Sequence, residues 1–193
     1  MKSISFNIRV LTWVLIGFLV LMVFSRIWHG ILFIEEAKGY KLLGVEISDK
    51  FSPNVFRILT LFYCLLLSYI VLQLKKFSDV MNDFYNDLFF SAKNGVQLKR
   101  IANGILFFTI LIGVLKLFLE LYSISSLDTS EMLIQESGFR KGPLHNTGYL
   151  FGQIIAKICF ICIPLFIISQ ILSLQSELVQ KGYLLKSEND LTI

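Results

Sequence analysis

The chain has 193 residues, 55% of them hydrophobic and 17% charged, against about 45–50% and about 25% in an ordinary soluble domain. That balance excludes a conventional water-soluble fold and makes the bilayer the natural solvent. The formal net charge of +4 is spread along the chain, which argues against direct nucleic-acid binding, and the three cysteines, Cys64, Cys159 and Cys162, all lie in apolar runs, so no extracellular disulfide framework is implied.

Lys2 and Arg9 precede Val10–Ser25, a stretch without charge. The bulky, partly charged continuation SRIWHGILFIEE offers no small-residue cleavage site, so the sequence predicts a retained first span over about 8–33. Arg26 is expected to snorkel toward headgroups, with Trp13 and Trp28 as interface anchors. A balanced polar connector over 35–53 follows, with a short strand expected at Leu42–Ile47. Ser52-Pro53 then reads as a helix start, a hydroxyl cap before a proline at the first helical position. Ile58–Leu74 is uncharged and predicts span two, about 55–75.

The segment that follows, 76–100, reads as an amphipathic helical hairpin between spans two and three. Phe77, Val80, Met81, Phe84, Tyr85, Leu88 and Phe89 keep a helical beat on one stripe. Asp79, Asp83 and Asp87 form a row on the opposite face, best read as a solvated helix face. Span three is expected at about 101–121, with Lys116 and Glu120 paired at i, i+4 near its far end. A second exterior connector over 122–148 leads to span four, about 150–176, in which Pro164 is expected to kink the helix. Residues 177–193 read as a polar tail. The expected fold class is therefore all-α, an integral membrane four-helix bundle forming a single membrane domain.

Four spans put both termini on one side. That side collects nine Lys and Arg residues (Lys2, Arg9, Lys75, Lys76, Lys93, Lys99, Arg100, Lys181, Lys186) against seven on the other. The bias predicts that the termini and the hairpin are cytoplasmic.

Chemistry-bearing patterns are sparse. His29 and His145 are isolated and no zinc spacing, P-loop, GxSxG or dinucleotide turn occurs, so neither a metal nor another cofactor is expected. Cys159-Phe160-Ile161-Cys162 is a CxxC, and a membrane bundle with such a pair resembles quinone-linked thiol oxidoreductases of the vitamin K epoxide reductase type. Those enzymes need a second, loop-borne cysteine pair, whereas Cys64 is mid-span, so packing as small apolar residues is the preferred reading. Lys116 and Lys157 sit at membrane depth, where a charge is a functional candidate; snorkelling, or pairing of Lys157 with Glu120, accounts for them without a transport role.

Two stretches carry a family resemblance. Phe89–Gly104, FFSAKNGVQLKRIANG, leads into span three, and LLKSENDLTI ends the chain at Ile193. They resemble the signatures of a family of small bacterial four-span integral membrane proteins of unknown function. In that family a Phe-Ser/Thr, Asn, Leu-Lys/Arg-Arg-Ile-Ala pattern precedes the third helix and an Asp-Leu-Thr-Ile motif ends the chain. The matching residues include Phe90, Ser91, Asn94, Lys99, Arg100, Glu188, Asp190 and Thr192. Where the family often has Pro or Gly before the Phe-Ser, this chain has Leu88-Phe89. Because such genes often neighbour one for a Cro/CI-like helix-turn-helix regulator, the resemblance implies a non-enzymatic, regulatory membrane protein of the bacterial inner membrane. Those eight residues become its partner-binding candidates. Glu188 and Asp190 are expected to dock against Lys99 and Arg100. The alternatives are envelope transport or immunity to a membrane-active toxin and, more remotely, thiol redox chemistry at Cys159 and Cys162.

Overall fold

The computed structural model describes residues 2–32, 41–46, 52–86, 88–126 and 143–191. In chain order these form α1 (Lys2–Ile27) with a π-helical turn (Trp28–Leu32), strands β1 (Lys41–Leu42) and β2 (Val45–Glu46), and helices α2 (Pro53–Tyr85), α3 (Ala92–Ser126) and α4 (Pro143–Leu191). The fold is all-α apart from the two-stranded antiparallel ribbon. Among the described residues, four helices are long and apolar enough to cross a membrane. This is a multi-pass membrane protein.

The helices pack in sequence order, α1 on α2, α2 on α3 and α3 on α4. Half of the apolar window of α3 is buried, 50%, against 11% in α1 and α4, so α3 is the central stave and the outer two expose most of their apolar surface. Exposure of Val10, Val14, Leu21, Phe160 and Ile163 is ordinary for a bilayer, because a lipid tail is as apolar as the side chain that meets it. Two buried clusters hold the staves. One, toward the ribbon, joins Leu42 and Val45 to Phe56, Tyr63, Leu67, Phe108 and Leu119. The other, toward the chain termini, joins Val80 and Met81 of α2, Leu98, Ile101 and Ile105 of α3, and Leu172 and Val179 of α4.

The segment over 76–100 is continuous with the long helices on either side of its turn. α2 runs unbroken through the second span to Tyr85, and the third span begins within α3 at Ala92. The apolar stripe is carried by helix only as far as Tyr85. Asn86 closes the helix by bonding to the Asn82 carbonyl, and the Leu88 amide reaches back to the Asp83 carbonyl at 3.0 Å, so Leu88 and Phe89 leave the stripe. Residues 177–191 are helical and form the last turns of α4, which continues through Pro164. The connector expected over 122–148 is shorter than expected, since α3 extends to Ser126 and α4 starts at Pro143.

Two smaller expectations are also corrected. Pro53 does open α2, but the Ser52 side chain makes no capping bond; its carbonyl accepts from the Phe56 amide instead. The expected strand at Leu42–Ile47 is broken by a turn at Leu43-Gly44, where both φ values are positive, 51° and 79°; Ile47 lies outside the described residues. Arg26 reaches the ribbon, donating to the Lys41 carbonyl at 2.8 Å.

Candidate functional site

The end of the bundle that gathers the α2–α3 turn with the ends of α1 and α4 holds the described part of the expected partner-binding set. Ser91 caps α3: its hydroxyl accepts from the Asn94 amide at 3.1 Å. The Asn94 side chain is fully buried and donates to the Leu88 carbonyl at 2.8 Å, tying the turn shut. Phe90 lies over Gly182 of α4, where a Cβ would come within 2.3 Å of the ring, so glycine makes room for the aromatic. Phe89 bridges Phe84 and Phe90, with ring centroids 4.3 and 4.8 Å away. Arg9 joins α1 to this end through a 2.7 Å bond to Asn82.

The resemblance-bearing residues thus divide into two groups. Ser91 and Asn94 make hydrogen bonds that close the turn, and Phe90, although half exposed, is engaged with α4. Lys99, Arg100 and Glu188 are exposed. The side chain of Asp190, and Thr192 entirely, fall outside the described residues, as does Asp87. Of the acidic row, Asp79 is exposed and Asp83 pairs with Lys93 at 3.5 Å.

The α3–α4 pairing decides which of these charges meet. Ser176 donates to the Gly95 carbonyl at 2.8 Å, Ser169 to the Ala102 carbonyl at 2.8 Å, and Cys162 to the Thr109 carbonyl at 3.6 Å. Three small polar residues at seven-residue spacing on α4 thus meet three backbone carbonyls at seven-residue spacing on α3, the periodicity of an antiparallel left-handed pair. In that register Lys99 is level with Leu172, and Glu188 lies about sixteen residues further along α4 (172 to 188), about 24 Å away at 1.5 Å per residue. The expected docking of Glu188 against Lys99 and Arg100 is therefore not made; the Asp190 half of that expectation lies outside the described side chains. Antiparallel pairing carries the two groups apart.

A second polar constellation, at the ribbon end, was only partly visible in the chain. Lys116 and Glu120 form the expected i, i+4 pair at 2.7 Å, and both are buried. Lys157 of α4, half exposed, approaches Glu120 at 3.5 Å. The Lys116 ammonium also donates to the Leu43 carbonyl at the ribbon turn. Two ribbon carbonyls, of Lys41 and Leu43, are thus held by cations from α1 and α3, while Leu42 and Val45 fill the core beneath. The sequence offers no signal for this latch, because Leu43 lies 73 residues from Lys116.

The cysteines are free thiols. Cys162 packs over Gly113, where a Cβ would lie 3.1 Å from its sulfur, and its thiol is committed to the Thr109 carbonyl. Cys64 is buried in α2. Among the described residues no group of three His, Cys, Asp or Glu side chains is placed to hold a metal ion. No protein-family model, curated protein or solved structure matches this chain.

Proposed function

We propose that this membrane protein is a regulatory, non-enzymatic docking protein of a bacterial inner membrane, with both termini cytoplasmic, that holds a protein partner at the bilayer surface. The observation that carries the reading is the end of α4. Beyond Glu177 the helix leaves its uncharged stretch, yet Leu178, Leu184 and Leu185 are 59, 57 and 63% exposed. The nine residues after Gly182, about 14 Å of helix, continue past the turn that Phe90 packs upon. Leu178 and Leu185, two turns apart, share one face, with Lys181, Lys186 and Glu188 around them. Leucines flanked by charges on a helix end suit a helix-in-groove contact with another protein. A small helix-turn-helix regulator is the partner class that the sequence resemblance nominates.

Affinity capture from detergent-solubilised membranes tests this. The intact protein is compared with Leu184→Ser/Leu185→Ser and with Phe160→Ala, a control on the exposed apolar face of the span. A small DNA-binding protein retained by the intact chain and the control, and lost from the double variant, is the expected result. The same proteins recovered from all three would refute the docking role of α4.

A further inference from the structure

Two contacts along the α2–α3 seam fix where its charges stand. Tyr69 of α2 meets Phe107 of α3 edge to face, with ring centroids 6.1 Å apart. Further toward the turn, Asp83 meets Lys93 at 3.5 Å. From Tyr69 to Asp83 is two heptads along α2, and from Phe107 to Lys93 is two heptads back along α3. Seven residues make close to two helical turns, so in an antiparallel pair the step midway between these contacts falls on the same face. That step sets Lys76 opposite Arg100. Its neighbours are complementary, ring on ring and carboxylate on ammonium, whereas the middle step opposes two cations. Both are exposed, and among the described residues no carboxylate pairs with either. Asp83 is taken by Lys93, and Asp79, one turn beyond Lys76, makes no ion pair. Like charges on facing positions repel unless an anion lies between them.

We infer that Lys76 and Arg100 clamp the phosphate of an anionic phospholipid, whose acyl chains run over Leu72 and Phe107 into the bilayer. Depth, spacing and the apolar track select this ligand. Lys76 is the second residue after the uncharged stretch of α2 and Arg100 directly precedes that of α3, which puts both at headgroup level. Neighbouring helices pack about 8–10 Å apart, so one phosphate fits between two long side chains and accepts from the guanidinium fork and the ammonium at about 2.7–2.9 Å. Asn103, exposed and one turn from both Arg100 and Phe107, adds an amide donor on the same face. Leu72 and Phe107 are 57 and 54% exposed and lead from the cations toward the hydrocarbon. Free phosphate would engage the cations without that track, and a zwitterionic headgroup would bring a third cation to them.

The test is native mass spectrometry of the full-length protein released from detergent micelles, after titration with dioleoyl phosphatidylglycerol, dioleoylglycerol or inorganic phosphate. One saturable phosphatidylglycerol adduct is expected, with none from the other two at the same concentrations. Lys76→Gln/Arg100→Gln should weaken that adduct about thirtyfold, the loss of two cations at a headgroup. Lys75→Gln/Lys99→Gln removes the same charge at the same level, but about 100° round each helix, and should weaken it less than about threefold through screened solvent. Arg100→Glu, which gives Lys76 a facing carboxylate, should abolish the adduct and raise the thermal midpoint of the lipid-free protein. Equal weakening by the two double variants would overturn the inference, since that pattern marks a diffuse basic belt. So would dioleoylglycerol or inorganic phosphate binding as tightly as the phospholipid, or a midpoint that fails to rise in Arg100→Glu.

Discussion

Removing Glu120 should destabilise the bundle more than removing Lys116, although the two form a single ion pair. Their charges lie 2.7 Å apart and both residues are buried, 7% and 4% exposed, so deleting one partner leaves the other charge uncompensated. Such a deletion typically costs 3–5 kcal/mol, whereas replacing both partners with apolar residues is often neutral or stabilising. The surroundings break the symmetry. In Lys116→Met, Glu120 keeps the Lys157 ammonium at 3.5 Å, and that flexible, half-exposed side chain can close in. In Glu120→Leu, Lys116 retains only the neutral Leu43 carbonyl among its described partners. We therefore expect about 3–5 kcal/mol for Glu120→Leu, about half that for Lys116→Met, and within about 1 kcal/mol of the parent for the double variant. Lys157→Ala alone should cost less than about 1 kcal/mol, because the side chain is half exposed and its contact with Glu120 is long, 3.5 Å, but distinctly more in the Lys116→Met background. Equilibrium unfolding in mixed micelles, followed by helical circular dichroism, gives the double-mutant cycle directly. Additive effects, or a larger loss from Lys116→Met than from Glu120→Leu, would refute the argument that burial and a back-up cation set the order.

Three further outcomes follow from the packing. Gly182→Val should lower stability by about 1–3 kcal/mol by displacing the Phe90 ring, while Gly152→Ala, with open space around its Cβ, should be neutral or stabilise by up to about 1 kcal/mol; thermal midpoints distinguish them. Ser169→Ala and Ser176→Ala should each cost about 0.6–1.7 kcal/mol, the scale of an interhelical hydrogen bond in a membrane bundle, as measured by denaturant titration. Cys162→Ser keeps a donor for the Thr109 carbonyl and should change stability by under about 1 kcal/mol, whereas Cys162→Leu, crowding Gly113, should cost about 1–3 kcal/mol; a loss from the serine variant equal to that from leucine would contradict the packing role.

The four spans were legible because they rest on local quantities. Uncharged runs such as Ile58–Leu74 and Ile158–Ser176 need only be long enough to cross hydrocarbon, and the Phe77–Phe84 stripe needs only helical periodicity. The Lys116–Glu120 pair was legible for the same reason, being a neighbour relation on one helix. The candidate site was harder to read. Ser91 and Asn94 stood out as polar residues beside a loop, a pattern that does not distinguish a surface contact from a turn closed on itself. Only the packed turn, with Asn94 buried beneath Leu88, separates the two. The expected contact of Glu188 with Lys99 failed because charge complementarity carries no information about register.

The sequence by itself determined that the chain spans a membrane four times, where each helix is apolar, and that α2 starts at Pro53, since each of these depends on hydropathy, length or a single residue's stereochemistry. The tertiary structure alone decided that residues 177–191 extend α4, that Ser169 and Ser176 hold α4 on α3, that two cations latch the ribbon, and that Gly104 makes room for the buried Gln73 amide. These depend on partners tens of residues away, and in a bilayer, where every outward face is apolar, hydropathy does not show which face of a helix meets its neighbour. Small residues such as Gly95, Gly104 and Gly182, placed where another helix must approach closely, make that choice.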